Sequence, residues 1–319
     1  MTSPLLNLPG AVAGDGIDAG VAAHYGSFNN EQRTLESGEG FVDLSHRDVL
    51  RIEGTDRLTW LHSLTTQYFL DLAPRTWTTA LVLSPNGHVE HAFQGYDDGE
   101  AFVSHTEPGA GAALAEFLER MKFMTRVEIS DVTDEIAVTW RPSSVVEPAE
   151  SASAYEFVPR DRLEAYAEAA GPACGLWAFE ALRIARGEPR LGLDTDHRAI
   201  PNEVGWIGSA VHMDKGCYRG QETVARVHTL GRPPRRLTLL HLDGSVNRLP
   251  TQGSELKLGD KVVGIVGSSA RHHELGPIAL GLVKRNVAVD AQLDADGVPA
   301  GQEILVDPEV GLHVRPKLR

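Results

Sequence analysis

Residues 214–222 read DKGCYRGQE and place one of the chain's two cysteines in a short loop of glycines and charged residues. A thiol reacts as its thiolate, which neighbouring cations favour, and Lys215 and Arg219 lie two residues away on either side of Cys217. Cysteine is also one of the residues most often buried, in which case it packs as a small apolar side chain. The loop therefore predicts an exposed, activatable Cys217, with a buried structural cysteine as the alternative.

Glycines on both sides of Cys217 give this loop conformational freedom. Gly216 and Gly220 can adopt positive φ, or let the backbone approach a ligand closely. The sequence GQETVARVH (220–228) predicts a short helix beginning near Gly220. The N-terminal dipole of that helix would face the thiol and favour its ionised form.

The segment that follows the cysteine is basic. Five arginines fall within 18 residues, namely Arg219, Arg226, Arg232, Arg235 and Arg236. One interpretation is a solvated face whose arginines pair with the acidic remainder of the chain. The other is a site for an anionic ligand or partner.

The pattern of the sequence changes at residue 236. Short β-type runs broken by Gly and Asp follow, among them LTLLHLDG (237–244) and PIALGLVKRN (277–286). Such runs are typical of a small antiparallel barrel or sandwich. We therefore predict an all-β domain over residues 236–319.

Helical and strand patterns alternate upstream of this boundary. GFVDLSHRDVLRIEG (40–54) predicts strands that end at Gly54, and TDRLTWLHSLTTQ (55–67) predicts a helix with Thr55 as its N-cap. Residues 77–105 predict three strands joined by turns, and residues 111–123 predict an amphipathic helix. The fold class is therefore α+β.

The chain divides into three parts on these patterns. Residues 1–20 are rich in Gly, Pro and Ala and predict a loose leader, and the polar segment 141–154 predicts a linker. Residues 21–235 then form the α+β region, and residues 236–319 form the barrel.

Composition excludes several classes of protein. No run of about 18 apolar residues exists, so the sequence predicts no membrane-spanning helix. The net charge of -14 disfavours broad binding to a nucleic-acid backbone, which needs Lys and Arg to neutralise phosphates. Two cysteines without a CxxC spacing favour the reducing cytoplasm.

KGCYRGQE (215–222) resembles the K-G-C-[YF]-x-G-Q-E signature of the YgfZ family of folate-binding proteins, relatives of the glycine cleavage aminomethyltransferase GcvT. LRIARGEPRLG (182–192) and VHTLGRPPRRL (227–237) resemble the segments on either side of that signature. The resemblance extends over roughly residues 35–285.

The resemblance implies a ring-like fold of two α/β subdomains plus a C-terminal antiparallel β-barrel, with a folate-sized hole at its centre. It implies tetrahydrofolate or a derivative as the cofactor. The implied role is a non-enzymatic accessory one, the support of iron–sulfur cluster assembly or repair, with indirect effects on tRNA-modifying enzymes. Iron–sulfur proteins or their assembly machinery are the implied partners, and Cys217 is the counterpart of the family's functional cysteine.

A folate-dependent aminomethyl or one-carbon transferase is the alternative within the same superfamily. GcvT-type enzymes carry a pair of aspartates near the folate, and His91 and Ala92 of NGHVEHAFQGY (86–96) occupy the matching positions. An arginine of those enzymes is matched by Phe179, and a methionine by Arg47. Alanine can supply neither charge nor a proton, so these differences weigh against transfer chemistry.

Several further residues are candidates for ligand contact. By resemblance Glu156 is the match of a glutamate that binds the pterin ring, since its two acceptor oxygens suit the 2-amino and N3 donors. A solvent-facing acid on a strand edge is the alternative for Glu156. Glu203 is interpreted as holding the cysteine loop or touching the ligand. The remaining candidates beside Cys217 are Lys215, Tyr218, Arg226 and Arg235.

We predict no metal site from the histidines. His272 and His273 are adjacent, and adjacent residues on a strand point to opposite faces, which disfavours a shared ion.

Overall fold

The computed structural model describes residues 2–142 and 155–312. These residues belong to two units. Unit 1 comprises Met1–Ser63, Gln67–Ala80 and His91–Phe179, and unit 2 comprises Leu64–Thr66, Leu81–Glu90 and Glu180–Arg319. The boundary expected at residue 236 stays a prediction, and most of the expected linker, residues 143–154, lies outside the described residues.

The α-helices of the described ranges are short. They are α1 (Phe28–Glu36), α2 (Arg57–Leu64), α3 (Gly111–Met121), α4 (Leu163–Ala169), α5 (Leu176–Ala185) and α6 (Gln221–Leu230). No helix among the described residues is long and apolar enough to cross a bilayer.

Strands β1–β11 are Val12–Ala13, Ala22–His24, Phe41–Asp43, Val49–Glu53, Thr78–Leu83, Val89–Asp97, Ala101–His105, Glu128–Asp131, Ile136–Trp140, Tyr155–Pro159 and Ala173–Cys174. Strands β12–β17 are Arg235–Leu242, Glu255–Leu258, Lys261–His272, Gly276–Lys284, Leu293–Ala295 and Val298–Ile304. The strands predicted over 40–54 and 77–105 and the helices predicted over 55–67 and 111–123 are thus confirmed, but α2 begins at Arg57, so Asp56 and not Thr55 precedes it.

Gly54 ends β4 as the sequence predicts. Its φ is +110°, and an added Cβ would lie 2.0 Å from the carbonyl oxygen of Arg126. No side chain fits there, so the chain turns at this glycine into α2.

A four-stranded sheet of order β10–β9–β3–β11 lies within unit 1. Strands β10, β9 and β3 pair antiparallel, whereas β11 pairs parallel with β3. Within the described residues, strand β10 is therefore an edge strand that pairs only with β9. A second sheet has the order β5–β6–β7–β4–β8, and β4 pairs antiparallel with both β7 and β8.

The first twenty residues, which we expected to be a loose leader, are ordered in residues 2–20. Residues Pro4–Asn7 form a 3-10 turn, and β1 pairs with β2. Leu5 is buried in a cluster with Phe41 and Leu163. The Gly and Pro content predicted loop structure, but burial of Leu5 in this core stabilises the segment.

The C-terminal strands of unit 2 close into the expected antiparallel barrel, of order β12–β15–β14–β13–β16–β17. Strand β12 pairs with both β15 and β17, which closes the ring. Leu240, Leu256 and Val283 are fully buried in its interior. Closure leaves no unpaired sheet edge at β12.

Candidate functional site

The cysteine loop lies in unit 2 and leads into α6. Cys217 is exposed, whereas Cys174 is buried. Burial and then the nearby Glu31 carboxylate raise the pKa of the Cys174 thiol to about 12. Of the two thiols, Cys217 is therefore the one that solvent and partners can reach.

Lys215 anchors this loop by an inward-pointing side chain. It is 5% exposed, and its Nζ donates a hydrogen bond to the carbonyl oxygen of Thr65 at 2.5 Å. The same Nζ lies 5.3 Å from the centre of the Tyr218 ring. Burial lowers the pKa of Lys215 to about 8 and raises that of Tyr218 to about 12.

Arg219 is held by a carboxylate. Its Nη1 donates to Glu90 Oε2 at 3.0 Å, with both side chains partly exposed. The two cations that flank Cys217 in the sequence thus bind Thr65 and Glu90. Activation of the thiol by Lys215 or Arg219 remains a prediction.

Gly220 fixes the path of the loop. It has a φ of +81° and is the N-cap of α6, so the predicted helix start is confirmed. An added Cβ would lie 2.5 Å from the carbonyl oxygen of Ser84. The Ser84–Gly87 turn therefore packs directly against the loop, and a glycine is required at this contact.

Glu203 and Arg235, both predicted ligand contacts, bind each other. The Arg235 guanidinium donates to both oxygens of Glu203 at 2.9 Å and to both oxygens of Asp196 at 2.6 and 3.0 Å. Glu203 is 2% exposed and also accepts from the backbone N–H of Ile200. Burial alone would raise the pKa of Asp196, but Arg235 lowers it overall. This geometry supports the structural interpretation of Glu203.

Arg226 lies on the solvated side of α6. Its Nη2 donates to Glu222 Oε1 at 2.6 Å, one helical turn away, and both side chains are mostly exposed. Arg232 pairs with Glu309, and Arg236 is buried and donates to Gln302. Four of the five arginines thus pair with carboxylates, which favours the interpretation as a paired face over an anion site, whereas Arg236 is buried and does not belong to a solvated face.

Glu156 lines a cavity in unit 1. The cavity has a volume of about 440 Å³. Its lining residues are Arg75, Trp77, Tyr96, Tyr155, Glu156, Phe157, Val158, Pro159 and Tyr166. Five of these belong to β10, which pairs only with β9 among the described residues.

A chain of hydroxyls orients the Glu156 carboxylate. The Tyr166 hydroxyl donates to Glu156 Oε2 at 2.5 Å and accepts from the Thr139 hydroxyl at 3.2 Å. Burial, and then the hydrogen bond to Glu156, raise the pKa of Tyr166. One acceptor position of the carboxylate is thus occupied, and a carboxylate offers about four.

The other wall of the cavity is aromatic. The Trp77 ring stacks on Phe157 with centroids 4.9 Å apart, and Tyr96 meets Trp77 edge-on at 5.2 Å. Successive residues of a strand face opposite sides, so Tyr155 and Phe157 share the face that Trp77 contacts, and Glu156 faces Tyr166. Side chains from both faces of β10 therefore line the cavity.

Sequence reasoning identified Glu156 but missed this aromatic wall. Tyr155 and Phe157 are two residues apart on one strand, and this spacing could have indicated an aromatic face. Trp77 and Tyr96 come from distant segments, and only the fold brings them to β10.

The positions that match transferase residues carry no carboxylate pair. The His91 ring lies 5.6 Å from the Phe117 ring, and Ala92 follows it on β6. Arg47 lies with its guanidinium carbon 5.9 Å from the centre of the Phe179 ring. His272 and His273 stack with centroids 4.8 Å apart, so the expectation that they point to opposite faces is wrong, because β14 ends at His272 and His273 lies beyond it. His272 Nδ1 accepts backbone hydrogen bonds from Glu274 and Leu275.

Comparisons with known proteins give partial matches of sequence. No protein-family model matches the chain. A chloroplastic protein of Arabidopsis thaliana, named as a candidate transferase, is 24% identical over 82% of this chain and 70% of its own length. An aminomethyltransferase of Streptomyces avermitilis is 34% identical over 38% of this chain and 34% of its own. The tRNA-modifying protein YgfZ of Escherichia coli is 31% identical over 43% and 40%.

The match of structure is far more extensive. The crystal structure of the glycine cleavage system aminomethyltransferase T from Bartonella henselae superposes with a TM-score of 0.78. It covers 96% of this chain and 97% of its own, at 15% sequence identity. The chain therefore has the aminomethyltransferase fold, a mixed α/β structure with a closed six-stranded antiparallel β-barrel.

Proposed function

We propose that the chain binds a reduced folate, tetrahydrofolate or a derivative, and acts as a YgfZ-like accessory factor in iron–sulfur cluster assembly or repair. The observation that carries the folate part is the cavity where an oriented carboxylate, Glu156, and an aromatic wall meet. The proposal places the pterin at this edge of β10.

The cavity suits the chemistry of a pterin. Its volume of about 440 Å³ lies within the usual range for small-molecule sites, roughly 300–1,000 Å³. A pterin presents two adjacent donors, N3–H and the 2-amino group, and the remaining acceptor positions of Glu156 can receive both. Trp77 and Tyr96 offer ring faces and edges for contact with the flat ring.

Arg75 is the cation best suited to the glutamate tail of a folate. It lines the cavity and is exposed, whereas Arg226 and Arg235 already bind Glu222, Asp196 and Glu203. An anionic tail would compete for those two arginines against carboxylates already in place. We therefore propose Arg75, rather than an arginine of the basic segment, as the cation that binds the glutamate tail.

Cys217 carries the iron–sulfur part of the proposal. Its thiol is exposed, and Cys217 lies within the YgfZ-like signature KGCYRGQE (215–222). Thiolates are the usual ligands of iron–sulfur clusters. The proposed role is transient contact with a client protein or its cluster, without turnover of a substrate by this chain.

Calorimetric titration with tetrahydrofolate tests the folate part. We expect saturable binding by the wild-type protein and a loss of about tenfold or more in Glu156→Gln, since a hydrogen bond to a charged group contributes about 1.5–3 kcal/mol. Glu222→Gln, on the exposed face of α6, is the matched control and should bind as the wild type does. Equal affinity of wild type and Glu156→Gln would contradict the assignment of the pterin site.

A cell-based assay tests the cysteine. Cells that depend on this chain and carry Cys217→Ser should lose activity of iron–sulfur enzymes, while the purified variant keeps its folate affinity. Normal activity of those enzymes would rule out the proposed role of Cys217.

A folate-dependent aminomethyl or one-carbon transferase is the second candidate. The overall fold and the 34% identity to an aminomethyltransferase over 128 residues favour it. His91 and Ala92 weigh against it, because neither supplies a carboxylate beside the folate. Release of ammonia and methylenetetrahydrofolate from an aminomethyl donor would establish this activity, and absence of turnover with bound folate would exclude it.

A further inference from the structure

We propose that the Glu156 cavity is also a binding site for a guanine nucleotide, whose base binds Glu156 and whose phosphate is attracted by Arg75. The cavity is the one in which we place the pterin of a folate, but this inference does not require that a folate binds. All of its lining residues belong to unit 1, and its volume of about 440 Å³ provides space for the ligand.

The Glu156 carboxylate selects a ligand by the hydrogen-bonding edge of its ring. A carboxylate only accepts hydrogen bonds, so it suits a ring that presents two adjacent N–H donors. A pterin presents N3–H and its 2-amino group, and a guanine presents N1–H and its 2-amino group in the same arrangement. Hypoxanthine lacks the 2-amino group, and adenine places an unprotonated ring nitrogen at this edge. The carboxylate therefore suits guanine and disfavours adenine.

Tyr166 holds the carboxylate in place before a ligand binds. Its hydroxyl donates to Glu156 Oε2 at 2.5 Å and accepts at 3.2 Å from the hydroxyl of Thr139, which is fully buried. The Tyr166 ring in turn packs edge-on against the buried Phe41, with centroids 5.4 Å apart. A side chain that is already ordered loses little freedom on binding, and acceptor positions remain on both oxygens of Glu156.

Aromatic side chains line the same cavity and suit a flat base. Trp77, Tyr96 and Tyr155 are each only partly buried, so part of each ring surface is accessible. Proteins that bind a nucleobase combine stacking or edge contacts from such rings with hydrogen bonds to the Watson–Crick edge of the base. Glu156 and the aromatic rings together supply both kinds of contact.

Arg75 supplies a cation for the phosphate. It is exposed, lines the cavity, and forms no ion pair with the residues that the structure describes. Its φ is +61°, a left-handed conformation that is costly for a residue with a side chain, and its backbone N–H donates to the Asp97 carbonyl oxygen at 2.7 Å. Such strained residues cluster at ligand sites, and a guanidinium suits a phosphate because it can donate two parallel hydrogen bonds.

Calorimetric titration of the full chain with guanosine, inosine and adenosine monophosphates (GMP, IMP and AMP) tests the proposal. We expect saturable binding of GMP with a Kd of about 10–100 µM, the range expected for a ligand of this size. IMP lacks the 2-amino donor and should bind about tenfold more weakly, because one acceptor position of the carboxylate then stays unpaired. AMP should show no saturable binding, since its ring nitrogen would face the carboxylate.

Two variants locate the ligand in the cavity. Glu156→Gln should weaken GMP binding by about tenfold or more, because its amide group offers a single acceptor oxygen. Arg75→Met should bind GMP about as weakly as the wild type binds guanosine, which has no phosphate. Glu222→Gln, on the exposed face of α6, is the matched control and should bind GMP as the wild type does. Arg75 is exposed, so its substitution leaves the core intact and keeps the test open if Glu156→Gln does not fold.

The proposal is overturned if the wild type shows no saturable binding of GMP up to about 1 mM. It is equally overturned if IMP and AMP bind as tightly as GMP, or if Glu156→Gln folds and binds GMP as the wild type does. Saturating tetrahydrofolate should abolish GMP binding, and undiminished GMP binding would overturn the shared cavity. Tetrahydrofolate binding without GMP binding refutes this inference alone, whereas GMP binding without tetrahydrofolate binding supports it and refutes the proposed folate site.

Discussion

Replacement of Arg235 by methionine separates a structural role from a ligand-binding role for the basic segment. Arg235 is the partner of Glu203, which is 2% exposed and retains only a backbone hydrogen bond from Ile200 among the contacts described above. Methionine keeps most of the side-chain volume but removes the charge. Arg235→Met therefore leaves a buried carboxylate unpaired.

The expected cost follows from the burial of the pair. Removal of one partner of a buried ion pair costs about 3–5 kcal/mol. The Arg235 side chain is 19% exposed, so water can partly solvate the vacated position. We therefore expect the free energy of unfolding to fall by about 3 kcal/mol, the lower end of that range.

Urea denaturation of purified variants measures this loss. Arg226→Met is the matched control, because Arg226 is mostly exposed and pairs with an exposed Glu222, and it should cost less than about 1 kcal/mol. In Arg235→Met/Glu203→Gln the unpaired charge is absent, so part of the stability should return. Tetrahydrofolate affinity should be unchanged in both arginine variants. Full stability of Arg235→Met combined with weakened folate binding would refute the reasoning.

Three further outcomes are expected in the cysteine loop. Iodoacetamide should label Cys217 in the native protein but label Cys174 only after denaturation, since burial and Glu31 raise the Cys174 pKa to about 12; equal native labelling would be inconsistent with the exposures. Gly220→Ala should lower the free energy of unfolding by about 2 kcal/mol, because a left-handed backbone costs an alanine about 1–2 kcal/mol and its Cβ would clash with the Ser84 carbonyl oxygen. Urea denaturation measures this loss, and an unchanged midpoint would show that alanine is not strained at this position. Burial lowers the Lys215 pKa from 10.5 to about 8, so between pH 8 and pH 10.5 the unfolded chain binds more protons than the folded one. The free energy of unfolding of the wild type should therefore gain a contribution that rises with pH in this range, and Lys215→Met should lack that contribution. Identical pH profiles of stability for the two proteins would contradict this.

The sequence predicted local structure where periodicity and turn chemistry act within a few residues. Gly54 and Gly220 marked real boundaries because each lies at positive φ against a backbone carbonyl. The short β-type runs predicted an antiparallel barrel or sandwich, but they could not give the strand order, in which β12 pairs with the distant β15 and β17. The prediction of a loose leader over residues 1–20 was wrong because Leu5 packs against Phe41, which is distant in the sequence, and no local pattern indicates that contact.

The site was less predictable because its side chains bind partners that are far away in the sequence. Lys215 and Arg219 flank Cys217 in sequence, yet their side chains bind Thr65 and Glu90. Likewise Arg235 reaches Asp196 and Glu203, which sequence spacing could not indicate. The aromatic wall around Glu156 draws Trp77, Tyr96 and Phe157 from three segments.

A crystal structure of the protein with bound tetrahydrofolate tests the central claim most directly. We expect electron density for the pterin beside β10, with its 2-amino and N3 donors on Glu156 and its ring against Trp77 or Tyr96. Density for the folate at another place, with the Glu156 cavity empty, would contradict it.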